Sequence, residues 1–239
     1  MHADFQRILT WRLLAGSHPF PGPDGGTCIN EAALVAAGLP YEAIRSSADC
    51  PPCFSRPIAA YALGLNDAMP DAARPQLMAF VLRLSGSADR PEVEAARTRC
   101  LALESVRQIL APLCAAAGMA GHAQACAGAS DLSSALAAAK AAAWRGGALA
   151  QAASRARRWR AGALTAAVAR TATAALRAAE DARCAAEVAE GAAPFVPDTW
   201  ARACAVLDRT LGVGRQAPEI DPVGARVRLD AARAAVATA

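Results

Sequence analysis

The chain has 239 residues, of which 54% are hydrophobic, 19% are charged and only 5% are aromatic. This hydrophobic share excludes an intrinsically disordered chain, and the composition also excludes collagen-like and mucin-like repeats. The formal net charge of +4 is mild and by itself points to no class of partner. Alanine supplies 67 residues. Because alanine is the best helix former, and strand-forming β-branched and aromatic residues are scarce, the composition predicts an all-α fold.

The N-terminal segment 1–16 lacks the features of a signal peptide, because Asp4, Arg7 and Arg12 interrupt its apolar residues. No charge-free apolar run approaches the length of about 18 residues that a membrane span requires. The eight cysteines are far too sparse for a secreted disulfide scaffold. We therefore expect a cytoplasmic protein with reduced thiols and no membrane association.

In chain order, the first 90 residues predict short helices separated by long loops. The predicted helices cover 5–15, 28–38, 55–65 and 71–84. The predicted loops cover 18–26, 41–54 and 85–90. Thr27 is the expected N-cap of the second helix, and Gly38 is its expected end.

After residue 90 the predicted helices are longer, and they cover 91–117, 131–190, 199–211 and 223–237. Pro112 is expected to kink the first of them, because proline lacks a backbone donor. The second begins at Ser130 or Asp131. We expect the pair Gly146-Gly147 to break it into two antiparallel helices.

A linker of small polar residues at 85–90 is the predicted domain boundary. It separates a loop-rich, cysteine-bearing head over 1–89 from an alanine-rich multi-helix bundle over 90–239. A core lined by alanine requires close backbone packing, so the few large side chains are expected to anchor it. The first to be placed there are the four tryptophans, Trp11, Trp144, Trp159 and Trp200.

Four short motifs stand out in the first third: Gly25-Gly26-Thr27-Cys28-Ile29-Asn30-Glu31, Asp49-Cys50-Pro51-Pro52-Cys53 with Pro57, Leu65-Asn66-Asp67 and Leu84-Ser85-Gly86. Here the chain resembles a group of uncharacterised alanine-rich helical proteins from high-GC bacteria and their phages. The proteins of that group also tend to end in alanine-rich helices that contain scattered tryptophan and arginine residues, as the segment 131–190 does here. The resemblance covers most of the chain but is specific only in the first 90 residues. It implies a helical architecture and an association with phages or mobile elements, and it carries no activity.

The sharpest candidate for chemistry is a metal site. Cys50 and Cys53 form a C-x-x-C pair in a loop stiffened by proline, and such a pair can present two thiolates to one zinc ion. Cys28 begins a predicted helix, where the helix dipole would favour its thiolate. With His18, these three sulfurs would complete a tetrahedral zinc site. The competing interpretation is that the cysteines are ordinary packing residues, because a second C-x-x-C pair is absent.

A zinc enzyme centred on the same residues would use Glu31 to move protons, as zinc deaminases use a glutamate. The order Cys28, Glu31, Cys50, Cys53 is suggestive of that motif. However, Glu31 follows Cys28 by three residues rather than two, and Asp49 stands where the motif has a proline. The composition also contains too few strand-forming residues for the central sheet of those enzymes. The sequence therefore leans away from an enzyme.

The second candidate is a basic segment made of Arg155, Arg157, Arg158, Trp159 and Arg160. From Lys140 to Ala179 there are eight basic residues and no aspartate or glutamate, which gives the middle of the chain a positive field. Arginines beside an aromatic residue suit the binding of nucleic acid or phosphate. On a continuous helix these arginines fall on opposite sides. The competing interpretation is a solvated helix with a buried tryptophan.

The sequence favours a helical structural or interaction protein, because alanine faces permit close approach between helices. Such a protein would self-associate or dock a protein partner. A zinc-dependent enzyme and a nucleic-acid binder are the two alternatives. The expected cofactor is therefore none or zinc.

Overall fold

The computed structural model of the chain describes residues 12–17, 26–215 and 221–237, and helices account for most of them. The helices are α1 Ile29–Ala36, α2 Arg56–Ala68, α3 Val81–Leu84, α4 Pro91–Ser105, α5 Ala111–Ala116, α6 Ala120–Ala127, α7 Leu132–Arg155, α8 Trp159–Arg177, α9 Arg183–Ala192, α10 Thr199–Leu211 and α11 Pro222–Ala237. Two 3-10 segments cover Ser47–Asp49 and Arg74–Phe80, and a π-helical segment covers Val106–Leu110. The prediction of an all-α, multi-helix fold with a loop-rich N-terminal head is confirmed.

Strand structure among the described residues is limited to one pair. The strand β1, Arg12–Leu13, pairs in parallel with β2, Gly26–Thr27. The expected helix over 5–15 is therefore wrong at residues 12–15, and its residues 5–11 lie outside the described part. The physical reason is tertiary: Asn66 donates to the carbonyl oxygen of Leu14 at 2.7 Å, so this backbone is held extended against α2.

The first compact unit consists of Met1–Glu94 and Leu211–Ala239. The helix α1 contacts α2, α3 and α11, and every one of its eight residues is buried. It can be surrounded on all sides because six of its eight residues are apolar and the Glu31 carboxylate is hydrogen-bonded. Its N-cap is Cys28, one residue later than the expected Thr27, and Gly38 follows its end at a φ of +77°, as expected of a C-terminal glycine.

The segment 71–84, expected to be one helix, is mostly a 3-10 segment followed by the single turn α3. Arg74 explains the change. Its guanidinium is almost fully buried and donates to the carbonyl oxygens of Asn66 at 2.8 Å and Met69 at 2.5 Å. These bonds fix the chain around the end of α2, and the tighter winding follows from that constraint.

The second compact unit is Ala95–Thr210. Its centre is the π-helical segment, which contacts α6, α7, α8 and α9 and buries Val106, Ile109 and Leu110. Pro112 lies in the first turn of α5, directly after this segment. Because proline at this position cannot bond to the carbonyl of Gln108, the regular α-helical ladder is interrupted where the sequence predicted a kink.

The helices α7 and α8 form an antiparallel hairpin, but the break between them does not lie at Gly146-Gly147. The helix α7 runs through both glycines and ends at Arg155. A Cβ atom on Gly146 would lie 2.9 Å from the carbonyl oxygen of Thr165 and 3.1 Å from the nitrogen of Ala169. Gly146 therefore allows the two backbones to approach, and it does not end the helix.

The division into units differs from the predicted boundary between residues 89 and 90. It falls between Glu94 and Ala95, and the C-terminal residues group with the first unit. The reason is the packing of α11 on α1. The Arg228 guanidinium donates through Nε at 3.1 Å and Nη2 at 2.6 Å to the carbonyl oxygen of Ala36, which closes the C-terminal end of α1.

Candidate nucleic-acid interface

The first candidate site, around Cys28 and Glu31, is a helix cap. The Cys28 sulfur accepts a hydrogen bond from the Glu31 nitrogen at 3.4 Å, and the Glu31 carboxylate accepts one from the Cys28 nitrogen at 2.9 Å. These two bonds form a capping box, which satisfies two backbone donors at the start of α1. The local sequence thus specifies a structural motif at the residues that suggested chemistry.

Glu31 is fully buried, and its carboxylate accepts three more hydrogen bonds. The donors are the hydroxyl of Ser17 at 2.9 Å, the hydroxyl of Thr27 at 3.0 Å and the backbone nitrogen of Ile44 at 3.0 Å. Four bonds occupy the acceptor positions that a carboxylate has. Glu31 therefore links three segments of the first unit through hydrogen bonds. Neither of its carboxylate oxygens is free to transfer protons to or from a bound substrate.

The thiols of Cys28 and Cys50 are held in the protonated form. Burial, reinforced by the neighbouring Glu31 charge, raises the pKa of Cys28 far above its ordinary value. Burial likewise raises the pKa of Cys50 to about 12. The expectation that the helix dipole would favour a Cys28 thiolate is wrong, because the loss of solvation outweighs the dipole.

Asp49 and Cys53, which lie on either side of Cys50 in the sequence, also have structural partners. Asp49 accepts from the backbone nitrogens of Arg45 at 2.9 Å and Ser46 at 2.8 Å and so caps a 3-10 turn. The Cys53 sulfur lies 3.9 Å from the Ser85 hydroxyl. No three histidine, cysteine, aspartate or glutamate side chains converge on a possible metal position within the described residues. His18 lies outside them.

The second candidate site lies at the turn of the α7–α8 hairpin. The nitrogen of Arg158 donates to the carbonyl of Ala153 at 2.8 Å, and the nitrogen of Arg157 donates to the carbonyl of Ser154 at 3.0 Å. Arg157 has a φ of +53°. This is the Schellman arrangement for ending a helix, with arginine in the left-handed position that glycine usually takes. The hydrogen bonds fix the direction in which the turn projects.

We call residues 155–160 the Arg/Trp tip. Every residue of the tip is exposed, and the Trp159 side chain is 70% exposed. Its arginines, Arg155, Arg157, Arg158 and Arg160, form no ion pair with any carboxylate of the described chain. The interpretation of a solvated helix with a buried tryptophan is therefore wrong for Trp159, and its ring faces solvent beside unneutralised charge.

A second exposed surface continues from the tip along α7. Lys140, Trp144, Gln151 and Arg155 are all exposed, and at about 100° per residue they fall within a sector of about 60°. We call this set the α7 stripe. The Trp144 side chain is 76% exposed. Lys140 and Arg155 thus share the outer face of α7 with Trp144, and Arg157, Arg158 and Arg160 follow at the tip.

Trp144 was expected in the core, and that expectation is wrong. The buried face of α7 consists of Ala135, Ala138, Ala139, Ala142 and Gly146. These small residues allow α8 to approach so closely that an indole could not fit between the helices. The sequence held one signal of this arrangement: Trp144 shares its helical phase with Lys140 and Arg155, which must face water. Trp200 is partly buried, and Trp11 lies outside the described residues.

None of the described helices combines the length and the apolar character needed to cross a membrane. In comparisons with known proteins, no protein-family model, no curated protein and no solved structure matches this chain.

Proposed function

We propose that this protein binds nucleic acid through the Arg/Trp tip and the α7 stripe. The observation that carries the proposal is the exposure of two tryptophans among cations that no carboxylate of the described chain neutralises. Unpaired guanidinium groups bind phosphates and release condensed counterions, which supplies most of the affinity of such proteins for nucleic acid. Exposed indole faces supply the second ingredient, because bases stack on them.

The absence of acidic residues over 132–179 strengthens the argument. An ordinary surface helix mixes charges of both signs, since opposite charges at neighbouring turns stabilise it. Here seven cations of the hairpin lack such partners among the described residues, and only Arg177 is paired, with Glu187. Their mutual repulsion opposes folding, so a polyanion that binds there would relieve it.

The test is a binding titration of the full chain with labelled oligonucleotides at several salt concentrations. We expect log affinity to fall linearly with log salt between about 50 and 200 mM. Arg157→Ala/Arg158→Ala should weaken binding and reduce that slope by about 1.4 on a single strand, at about 0.7 for each lost phosphate contact. The matched control is Arg90→Ala/Arg99→Ala, which removes the same charge from exposed positions outside the hairpin.

Two results would contradict the proposal: affinity that does not depend on salt, or equal weakening by both double variants. The second result would show that net charge, rather than the tip, attracts the nucleic acid.

We propose self-association as a second candidate function, supported by two residues of α11. Val223 and Val227 are 65% and 62% exposed and lie one helical turn apart. A neighbouring pair of this kind is a small apolar patch suited to a second helix. Light scattering over a range of protein concentrations should show dimers for the natural chain and fewer for Val223→Ser/Val227→Ser. A monomer at every concentration for the natural chain would rule this candidate out.

A further inference from the structure

We infer that the nucleic acid bound by the hairpin is single-stranded and that its bases stack on Trp144 and Trp159. This inference rests on the proposed function and specifies its ligand. The accessibility of the two indole rings, the width of the hairpin and the arrangement of cations around each ring all favour a single strand.

The two rings are the most exposed large apolar side chains among the described residues. Burying an indole within the protein stabilises the fold, so a solvent-facing indole gives up that stabilisation. Two such rings on one hairpin therefore need a ligand with flat apolar faces. Unpaired bases offer these faces on both sides, whereas bases in a duplex are already stacked on their neighbours.

The width of the hairpin disfavours a duplex. The helices α7 and α8 pack along their lengths, and the absent Cβ of Gly146 brings their backbones into contact. Each helix with its side chains is about 10–12 Å across, so the pair is far wider than the major groove of about 12 Å. The tip therefore cannot enter the groove as a single recognition helix does. A flexible strand has no such limit and can follow the outer surface.

The cations are placed to hold a strand on either side of each ring. Lys140 precedes Trp144 by four residues on the α7 stripe, and Arg155 follows it by three helical turns. The distance along α7 from Lys140 to Arg155 is about 22 Å at 1.5 Å per residue. At the tip, Trp159 has an arginine on each side in the chain. The stripe and the tip together place two rings between cations, and a surface of this length suits a strand of several nucleotides.

The stripe does not fit a membrane surface. Helices that lie in a lipid interface bury a broad face of leucine, phenylalanine or tryptophan, and the neighbours of Trp144 on the exposed face of α7 are alanine, lysine and glutamine. A lone ring without an apolar band gains little from lipid. The ligand chemistry that remains is a phosphate chain carrying stackable rings.

The experiment compares four probes with the full chain over the same series of salt concentrations. The probes are a labelled thymidine oligonucleotide of about 20 nucleotides, the duplex of the same length, an abasic strand of the same length, and vesicles containing anionic lipid. We expect the thymidine strand to bind at least about ten times more tightly than the abasic strand, because stacking on two rings is lost without bases. The duplex should also bind more weakly than the thymidine strand, because its bases are already stacked on their neighbours.

Trp144→Ala and Trp159→Ala should each weaken binding of the thymidine strand by about 5- to 150-fold, the range for a lost stacking contact. The slope of log affinity against log salt should not change, because no cation is removed. Trp144→Phe and Trp159→Phe should retain most of the affinity. Both rings face solvent, so the alanine variants should also keep the helical circular dichroism of the natural chain.

The outcomes separate this inference from the proposed function. One possible result is that the tryptophan variants bind as tightly as the natural chain and the abasic strand binds as tightly as the thymidine strand. If Arg157→Ala/Arg158→Ala still weakens binding in that case, stacking is overturned and nucleic-acid binding stands. If the arginine variant also binds normally, both proposals fail. If anionic vesicles bind as tightly as the thymidine strand and depend on the same tryptophans, the ligand is a lipid surface and the inference is overturned.

Discussion

Glu31 shows at the scale of one residue how a buried carboxylate can serve the fold. The sequence alone made it a candidate for proton transfer, because it lies near three cysteines. In the structure it accepts hydrogen bonds from Cys28, Thr27, Ile44 and Ser17 and is fully buried. A buried charge is stable only when its oxygens are satisfied in this way, so each of the four donors matters for the first unit.

We therefore expect Glu31→Gln to lower the free energy of unfolding by about 2–4 kcal/mol, since the amide turns one acceptor into a donor facing other donors. The measurement is the urea midpoint, with Glu42→Gln as control, because Glu42 is exposed in the same unit. Equal midpoints for the two variants would show that the Glu31 hydrogen bonds contribute nothing measurable.

Arg157 connects stability with function at the same scale. Its left-handed φ of +53° costs a non-glycine residue about 1–2 kcal/mol, whereas glycine adopts it freely but loses more conformational entropy on folding. We expect Arg157→Gly to raise the free energy of unfolding by about 0.5–1 kcal/mol, the difference between those two effects. The same change should weaken nucleic-acid binding, because a cation of the tip is lost.

Arg157→Lys is the matched control for this change, since it keeps both the charge and the strained backbone. It should leave stability and the salt dependence of binding close to those of the natural chain. A glycine variant that is less stable than the natural chain would show that the Arg157 side chain makes stabilising contacts that outweigh the strain.

At the scale of elements, two adjacent glycines have different roles in α7. A Cβ atom on Gly146 would collide with the backbone of α8, while nothing lies within 4 Å of a Cβ on Gly147. The sequence predicted a break at this pair because glycine weakens helices. The helix continues because the close approach of α8 stabilises it through packing, which propensity does not include.

We expect Gly146→Ala to lower the free energy of unfolding by about 1–3 kcal/mol, since the two backbones must separate. Gly147→Ala should instead raise it by about 0.5–1 kcal/mol through better helix propensity. Thermal or urea unfolding of the two variants checks both signs. If the two alanine variants had the same stability, α7 and α8 would not be in close backbone contact at Gly146.

At the scale of the whole molecule, the chain folds into two compact units, and its C-terminal helix belongs to the unit that contains the N-terminal strands. The bond from Arg228 to the carbonyl of Ala36 spans 192 residues of sequence. Gly38 makes room for it, because a Cβ there would lie 3.2 Å from the Arg228 side chain. Tertiary packing thus decides which unit α11 joins.

Arg228→Ala should therefore increase amide hydrogen exchange in α1 and leave exchange in α7 and α8 unchanged. A lost bond from a charged donor is worth about 1.5–3 kcal/mol, so exchange through opening of α1 should accelerate by at least about tenfold. The control is Arg226→Ala, which removes an exposed pair with Asp230 on the same helix and should have little effect. Unchanged protection of α1 would contradict the assignment of α11 to this unit.

The sequence predicted the helical class and several helix ends from local signals. Asp131 caps α7 as its position suggested, and α10 covers the predicted residues 199–211. Pro112 marks the interruption before α5. These signals were sufficient because caps and prolines act through bonds within a few residues. The sequence also singled out the arginines and the tryptophan of the Arg/Trp tip, from the absence of acidic neighbours, and their role in binding stays a prediction.

Only the tertiary structure decided that Trp159 faces solvent, where the long alanine-rich helix turns and which unit the last helix joins. Alanine and glycine carry almost no information on which side of a helix is buried, because each fits against a backbone as readily as against water. In a chain so rich in them, the choice of the buried face depends on how closely two helices can approach. That distance is a property of both helices together, and the sequence of either one does not contain it.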